Sequence, residues 1–304
     1  MSRPGLLKRL RHMNRLGDLT AAAIALLPAV IILGLFNIYP TFYSAYLSLL
    51  DWNGLSKERI WVGAQNYIDL FHSDIFWNSL KVTTTYVIGN TILGLAVGLL
   101  VALLVNTGIR GKPFYQAVYF IPVMISAVGA SVVWRYMLDP GSGYVNVVLR
   151  ALHIQGPAWL TSPKWAMPAV ILVGVWRRVG FNMVIFVAGL QAIPRDYYEA
   201  AGMDGAGAWP KFHQITWPLL APVTLLLAIM SVIDSLLMFD QVFVLTEGGP
   251  MGSTDLVGYR LYVVAFRYMH TGRASAMALI VLLIVLSVTL VQWRFVGFSR
   301  RGEW

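Results

Sequence analysis

The chain has no cysteine, so it can form neither a disulfide nor a thiolate metal site. Charge is scarce as well. Only 12% of residues are charged, about half the share of an ordinary soluble domain. There is no Walker-type phosphate loop. The one Gly-Lys pair is Gly111-Lys112, and the pattern would need glycine where Asn106 stands and serine or threonine where Pro113 stands. Catalytic spacings are missing too. His12, His72, His153, His213 and His270 are scattered, with no His-Glu-x-x-His, Gly-x-Ser-x-Gly or paired-carboxylate constellation around them. That counts against a membrane-embedded enzyme. No tandem repeat and no matching pair of interrupted helices is visible, which counts against the alternative reading, a self-contained secondary transporter driven by an ion gradient.

What the chain has in excess is apolar sequence, 58% of its 304 residues. Runs of about 20 apolar residues are the length of a bilayer-spanning helix. Six are read: Leu19–Tyr39, Leu80–Val105, Phe114–Met137, Trp165–Leu190, Leu219–Phe239 and Ala274–Val296. Helices follow because hydrocarbon offers no partner for a backbone N–H or C=O outside the segment itself. The runs are too long and too continuously apolar for barrel strands. The expected fold is an all-α integral membrane protein. Its parts are a cytoplasmic segment 1–18, one six-span domain 19–296, and a cytoplasmic tail 297–304. Met1 to Gly17 is polar and basic without a cleavage site, so the first run reads as a retained span.

Net charge is +9. In this setting it reads as an orientation signal rather than as affinity for nucleic acid. With six spans both termini share a side. That side carries twelve lysines and arginines against eight on the other, where they are spread over longer loops. The bias places both termini in the cytoplasm, and most of it comes from the N-terminal segment. The three outer loops, Asp51–Ser79, Asp139–Lys164 and Gln241–Arg273, are long for simple connectors.

Charges inside spans are costly and mark functional positions by default. Arg135 near a span end can snorkel. Arg177 and Arg178 fall mid-span, with Asp234 in the outer half of the fifth span and Asp240 at its end. Together with Trp134, Trp176, Asn182 and Gln241 they are candidates for a polar wall, since aromatic faces and hydrogen-bonding groups suit sugars. Neighbouring arginines point about 100° apart on a helix, so only one is expected to face a given cavity. Gly89, Gly94 and Gly98 allow close helix approach, and Pro122 and Pro168 kink or start helices.

One polar stretch stands out between the fourth and fifth spans. Pro194 suits a helix start, and Asp196 and Glu199 follow near the positive helix end. Ala200 and Ala201 are compact helix formers, and Gly202 and Gly205 can end the helix in a left-handed turn. Trp209-Pro210 fits the entry to a second short helix, and Pro218 the start of the fifth span. A helix with small side chains and one carboxylate fits a groove on another protein.

The spacing Glu199-Ala200-Ala201, Gly205, Ile215-x-x-Pro218 resembles the EAA loop of permease subunits in binding-protein-dependent ABC importers. Further segments resemble the same family: Gly63-x-x-Asn66-Tyr67, Ala188-Gly189-Leu190-Gln191-x-Ile193-Pro194, Phe239-Asp240-Gln241, Thr246-Glu247-Gly248-Gly249-Pro250 with Thr254, and Tyr262-x-x-Ala265-Phe266. The likeness runs from about residue 40 onward. It is greatest to the first permease of the carbohydrate-uptake class, of maltose and glycerol-phosphate type. Trp217 stands where the family often has leucine.

The resemblance implies a coupling loop at about 194–218, with Glu199, Ala200, Ala201, Gly202, Asp204, Gly205, Ile215 and Pro218 docking in a cleft of an ATPase subunit. It implies Gly248, Gly249 and Pro250 as contacts of an extracytoplasmic solute-binding protein. It also implies a second permease subunit and two ATPase subunits that bind ATP and magnesium, with no cofactor in this chain. The solute, whether disaccharide, oligosaccharide or glycerol phosphoester, is left open.

Overall fold

The computed structural model describes residues 20–299 except 22, 108 and 109. The basic N-terminal segment and the last five residues, read above as cytoplasmic, lie outside the described residues. Among the described residues five helices are long and apolar enough to cross a membrane, and a bent pair of helices makes six if the pair counts as one span.

The first is α1, Ala23–Leu47. A hairpin of β1 (Leu50–Asp51) and β2 (Ile60–Trp61) follows, then the short helix α2 (Gln65–Phe71). The long helix α3 spans Asp74–Asn106, started by the Ser73 hydroxyl, which accepts from the Phe76 N–H. The bent pair is α4 (Lys112–Met124) and α5 (Ala127–Met137), at 99° to each other. Next come α6 (Tyr144–Ala151), α7 (Pro163–Ala192) and α8 (Arg195–Met203). Helix α9 runs Ala208–Leu236. The chain ends in α10 (Asp240–Leu245), α11 (Val257–Tyr262) and α12 (Thr271–Ser299).

Lipid tails are as apolar as leucine, so helices in a bilayer associate through close packing and interhelical hydrogen bonds. Helices α3 and α7 show both. A Cβ at Gly98 would lie 2.5 Å from the Asn182 Cβ, so only glycine admits this approach. The Asn182 Nδ2 donates to the Gly94 carbonyl at 2.9 Å. Around this seam Ala102, Met183, Phe186, Leu220 and Leu227 form one buried cluster. A second cluster, with Tyr86, Val170, Val173, Val242 and Leu256, lies toward the opposite ends of the same helices. Helix α1 presents its apolar side chains outward: Ile24, Val30 and Phe36 are 72%, 64% and 74% exposed. Such a surface needs lipid or another protein against it.

The third predicted span, Phe114–Met137, is not one straight rod. The chain turns at Ile125 and Ser126, both extended, and the Ser126 hydroxyl caps α5 by accepting from the Gly129 N–H. The bend therefore sits one turn beyond Pro122, which lies within α4. Arg135 does not simply snorkel, since its guanidinium donates to the Val244 carbonyl at 3.1 Å.

The long loops are folded. Asn66 donates to the carbonyls of Ser48 and Leu50, each at 2.9 Å, and the Tyr67 hydroxyl meets the Ser48 hydroxyl at 2.7 Å. These bonds tie α2 to the end of α1. The segment 246–256 is fastened to α3. Asp255 is buried, pairs with Arg260, and accepts from the Ser79 hydroxyl at 3.0 Å. The Val257 N–H donates to the Thr83 hydroxyl at 2.8 Å.

Candidate functional site

Most of the candidate residues fall in two places: a cavity among α3, α7 and α9, and the exposed element between α7 and α9. The cavity, of about 320 Å³, lies at mid-length of α3 and α7 and is lined in part by Tyr86, Asn90, Arg177, Arg178, Asp234 and Gln241. It falls between the two buried clusters along these helices.

Both arginines line it. The 100° between their Cα directions does not keep either from the lining, since a long aliphatic stem lets an arginine reach beyond its own helix face. Arg178 is paired with Asp234 of α9 and lies 5.7 Å from the centre of the Phe181 ring. The arginine side chain is 16% exposed and the aspartate 58%, so the pair stands at the open rim. Arg177 has no hydrogen bond or ion pair among the described residues.

The other candidates are distributed. Gln241 is fully buried and donates to the Val170 carbonyl at 2.6 Å while bordering the cavity. Asn182 gives its amide nitrogen to the α3 backbone, keeps a buried Oδ1 without a partner among the described residues, and is not part of the cavity lining. Trp134 and Trp176 pack edge-to-face at 5.4 Å, joining α5 to α7 outside it. Asp240 is exposed in the first turn of α10. Tyr86, Asn90 and Ser235 were not singled out from the sequence. Their signal was present in α3, where Ser79, Thr83, Tyr86 and Asn90 recur at spacings of three and four and are all buried. That is one face of a helix.

In the exposed element, Pro194 is the N-cap residue of α8 and Asp196 lies in its first turn. Asp204 is the C-cap, and Gly205 follows at φ 77°. The Ala206 N–H bonds to the Ala201 carbonyl at 2.9 Å and the Gly205 N–H to the Gly202 carbonyl at 3.1 Å. This is the paired Schellman closure, for which glycine is the favoured residue in the left-handed position. Gly202 does not end the helix but sits inside it. Glu199 and Ala200 are exposed and Ala201 half-buried. Glu199 has no polar partner among the described residues. Apolar side chains stand out beside it, with Tyr197 54%, Met203 88% and Trp209 73% exposed.

The second short helix is present at Ala208–Lys211 but is continuous with the span that follows. The helix that begins at Ala208 runs on into the fifth span. It passes Pro218 because residues Phe212–Thr216 form a wider π turn, in which the Trp217 N–H bonds to the Phe212 carbonyl. A proline ring collides with the carbonyl four residues back in a regular helix, and the extra residue in the turn accommodates it. Ile215, Phe212 and Tyr198 pack against the core cluster. The Tyr198 and Thr216 hydroxyls meet at 2.9 Å.

At the opposite end, Gly248 has φ 78° and is buried against the Tyr259 ring. Gly249 and Pro250 are half-buried, and Met251 beside them is 94% exposed.

Comparison with known proteins agrees with this architecture. Residues 94–297 match the family model described as binding-protein-dependent transport system inner membrane component. The chain is 33% identical over 292 residues to a probable ABC transporter permease protein of Pyrococcus horikoshii, covering 95% of this chain and all of that one. It is 32% identical to the trehalose/maltose transport system permease protein of Thermococcus litoralis, covering 91% and 94% of the two chains. It is 30% identical to the sn-glycerol-3-phosphate transport system permease protein of Agrobacterium fabrum, covering 88% and 92%. A chain of a bacterial ABC transporter that imports the acidic polysaccharide alginate shares the fold, with TM-score 0.80 at 24% identity over 96% of this chain and 99% of that one. A chain of long apolar helices of this type, matched over two thirds of its length by one family model, belongs to the inner-membrane permease components of binding-protein-dependent ABC importers.

Proposed function

We propose that this chain is the permease subunit of an ATP-driven importer for a sugar or sugar-like solute, working with a second permease, two ATPase subunits and an extracytoplasmic binding protein. ATP and magnesium belong to the ATPase subunits. The observation that carries the reading is the unbroken helix α9, which joins the exposed element to the cavity. It starts at Ala208 beside Trp209 and reaches Asp234 and Ser235 at the cavity. At 1.5 Å per residue its 29 residues span about 43 Å. A push on α8 reaches the base of α9 through Tyr198 and Thr216 and is delivered to the cavity as a tilt of one rod.

In this reading Glu199 and the exposed apolar side chains of α8 seat in a cleft of an ATPase subunit, and Gly205 shapes the turn. Closure of the two ATPase subunits then rocks the spans between inward-open and outward-open states. The cavity, with Arg177, Asp234 and Gln241, is part of the solute path. Gly249 and Pro250 meet the binding protein, with Gly248 holding their loop. A charged pair exposed inside a membrane span is too costly to face lipid, which supports a water-filled path or the partner permease on that side. The named relatives for trehalose/maltose and glycerol phosphate handle polyhydroxylated solutes, which supports the solute class.

The absence of native cysteine makes the test simple. Met203→Cys in the assembled complex is expected to cross-link to an ATPase subunit and to resist a membrane-impermeant thiol reagent added from outside. Labelling from outside would reverse the orientation and remove the docking role.

A further inference from the structure

Four residues that line the cavity each carry a buried polar atom without a hydrogen-bond partner: the Tyr86 hydroxyl, Asn90 Oδ1, Arg178 Nε and Gln241 Oε1. Tyr86, Asn90 and Gln241 are each more than nine-tenths buried. Unpaired polar atoms are costly in a protein interior, and four on residues around one opening favour a polar occupant there. Their chemistry is mixed. The Asn90 amide nitrogen donates to the Ser235 hydroxyl at 2.9 Å, leaving its oxygen free. The Val170 carbonyl can only accept, which fixes the Gln241 nitrogen on that side and its oxygen free. Two free acceptors, one N–H donor and one phenol match the alternating donors and acceptors of neighbouring hydroxyls. Gly174 makes room for them: a Cβ there would lie 2.6 Å from both the Tyr86 hydroxyl and Asn90 Oδ1.

The charge of the lining is not balanced. Two arginines face one aspartate. Asp234 is engaged with Arg178, so the excess positive charge resides on Arg177, half-buried in the middle of a span. An uncompensated cation at that depth is costly. An anionic group on the solute would neutralise it through charge-assisted hydrogen bonds.

We infer that the cavity selects a saccharide unit bearing one negative charge, its hydroxyls held by Tyr86, Asn90 and Gln241 and its acid group by Arg177. The inference rests on the reading of the cavity as the solute path. The shared chemistry is an anion on a polyol, either a carboxylate or a phosphoryl group.

The test uses the assembled permease–ATPase complex without its solute-binding protein, so that the latter's selectivity does not enter. Glucose, glucuronate and glucose 6-phosphate are titrated calorimetrically. At least one acidic probe is expected to bind about tenfold more tightly than glucose, the scale of one charge-assisted contact. A preference for glucuronate alone assigns a carboxylate, and a preference for glucose 6-phosphate alone a phosphoryl group. Arg177→Gln is expected to bring the acidic probes down to the level of glucose, Arg177→Lys to keep the preference, and Asn90→Ala to weaken all three probes. Equal binding of the three by the unaltered complex overturns the charge selection and leaves the path intact. Binding of none overturns the path itself. Loss of glucose binding in Arg177→Gln without rescue by Arg177→Lys assigns Arg177 a structural role and overturns the inference.

Discussion

The Tyr198 hydroxyl stands 2.9 Å from the Thr216 hydroxyl, joining helix α8 to the first turns of α9. Thr216 is buried, and its hydroxyl also lies 3.3 Å from the Lys211 carbonyl. The contact fastens an otherwise exposed helix to the base of a span.

Tyr198→Phe removes that link while keeping the ring packed. One such hydrogen bond contributes about 1 kcal/mol, so amides of residues 195–206 are expected to exchange about fivefold faster in the assembled complex. Unchanged protection would show that core packing alone holds α8.

Gly205 adopts φ 77° with open space around its missing side chain. The penalty for a larger residue is therefore conformational, about 1–2 kcal/mol. Gly205→Asn is expected to retain more uptake than Gly205→Val, because asparagine tolerates the left-handed region. Equal loss in both would point to the surface of the turn rather than its backbone.

Gly98→Ala places a methyl group 2.5 Å from the Asn182 Cβ, with the Asn182 backbone close behind. Neither neighbour can swing away, and overpacking of this kind costs about 1–3 kcal/mol. The variant is expected to lower the melting temperature of the purified complex. Gly207→Ala, with nothing within 4 Å of the added carbon, is the matched control and is expected to leave it unchanged.

Burial pushes the Asp255 carboxyl above the ordinary aspartate value, against the opposing hydrogen bonds from Arg260 and Ser79. The folded form thus holds its proton to higher pH than the unfolded chain does. Asp255 contributes stability below the unfolded value and loses it as pH rises through the folded one. Asp69 runs the other way. Its hydrogen bond from Gln65 and the nearby Arg273 lower its carboxyl, so its contribution is present above the unfolded value and lost as pH falls through the folded one. The two windows lie on opposite sides of the ordinary aspartate value. The wild-type melting temperature minus that of Asp255→Asn is expected to fall as pH rises through the window above it. A difference that rises with pH there would contradict the burial argument.

Much of this architecture is legible in the sequence because a bilayer demands long apolar helices, and nothing else looks like Leu80–Val105. The break at Ile125 and Ser126 is hidden, since both halves are apolar and the nearest proline is one turn away. The continuity of α9 is hidden for the opposite reason. Pro210 and Pro218 read as helix starts, and a π turn that lets a helix run past a proline leaves no compositional mark. Gly205 is legible as a turn, and Glu199 as an acidic residue after a helix start, in a polar stretch. The cavity was half visible. Charges such as Arg177 and Asp234 announce themselves inside a span, whereas Tyr86 and Asn90 emerge only from the three-and-four spacing of polar residues on α3. Asn182 looked like a wall residue and is a packing residue, because a polar side chain in a span carries no sign of which neighbour it meets.

The most direct test of the account is solute-stimulated ATP hydrolysis by the complete complex, comparing wild type with Glu199→Lys and Gly205→Asp. Both variants are expected to assemble and keep unstimulated hydrolysis while losing stimulation and uptake. Uptake that persists without any ATPase subunit, driven by an ion gradient, would contradict the account at its centre.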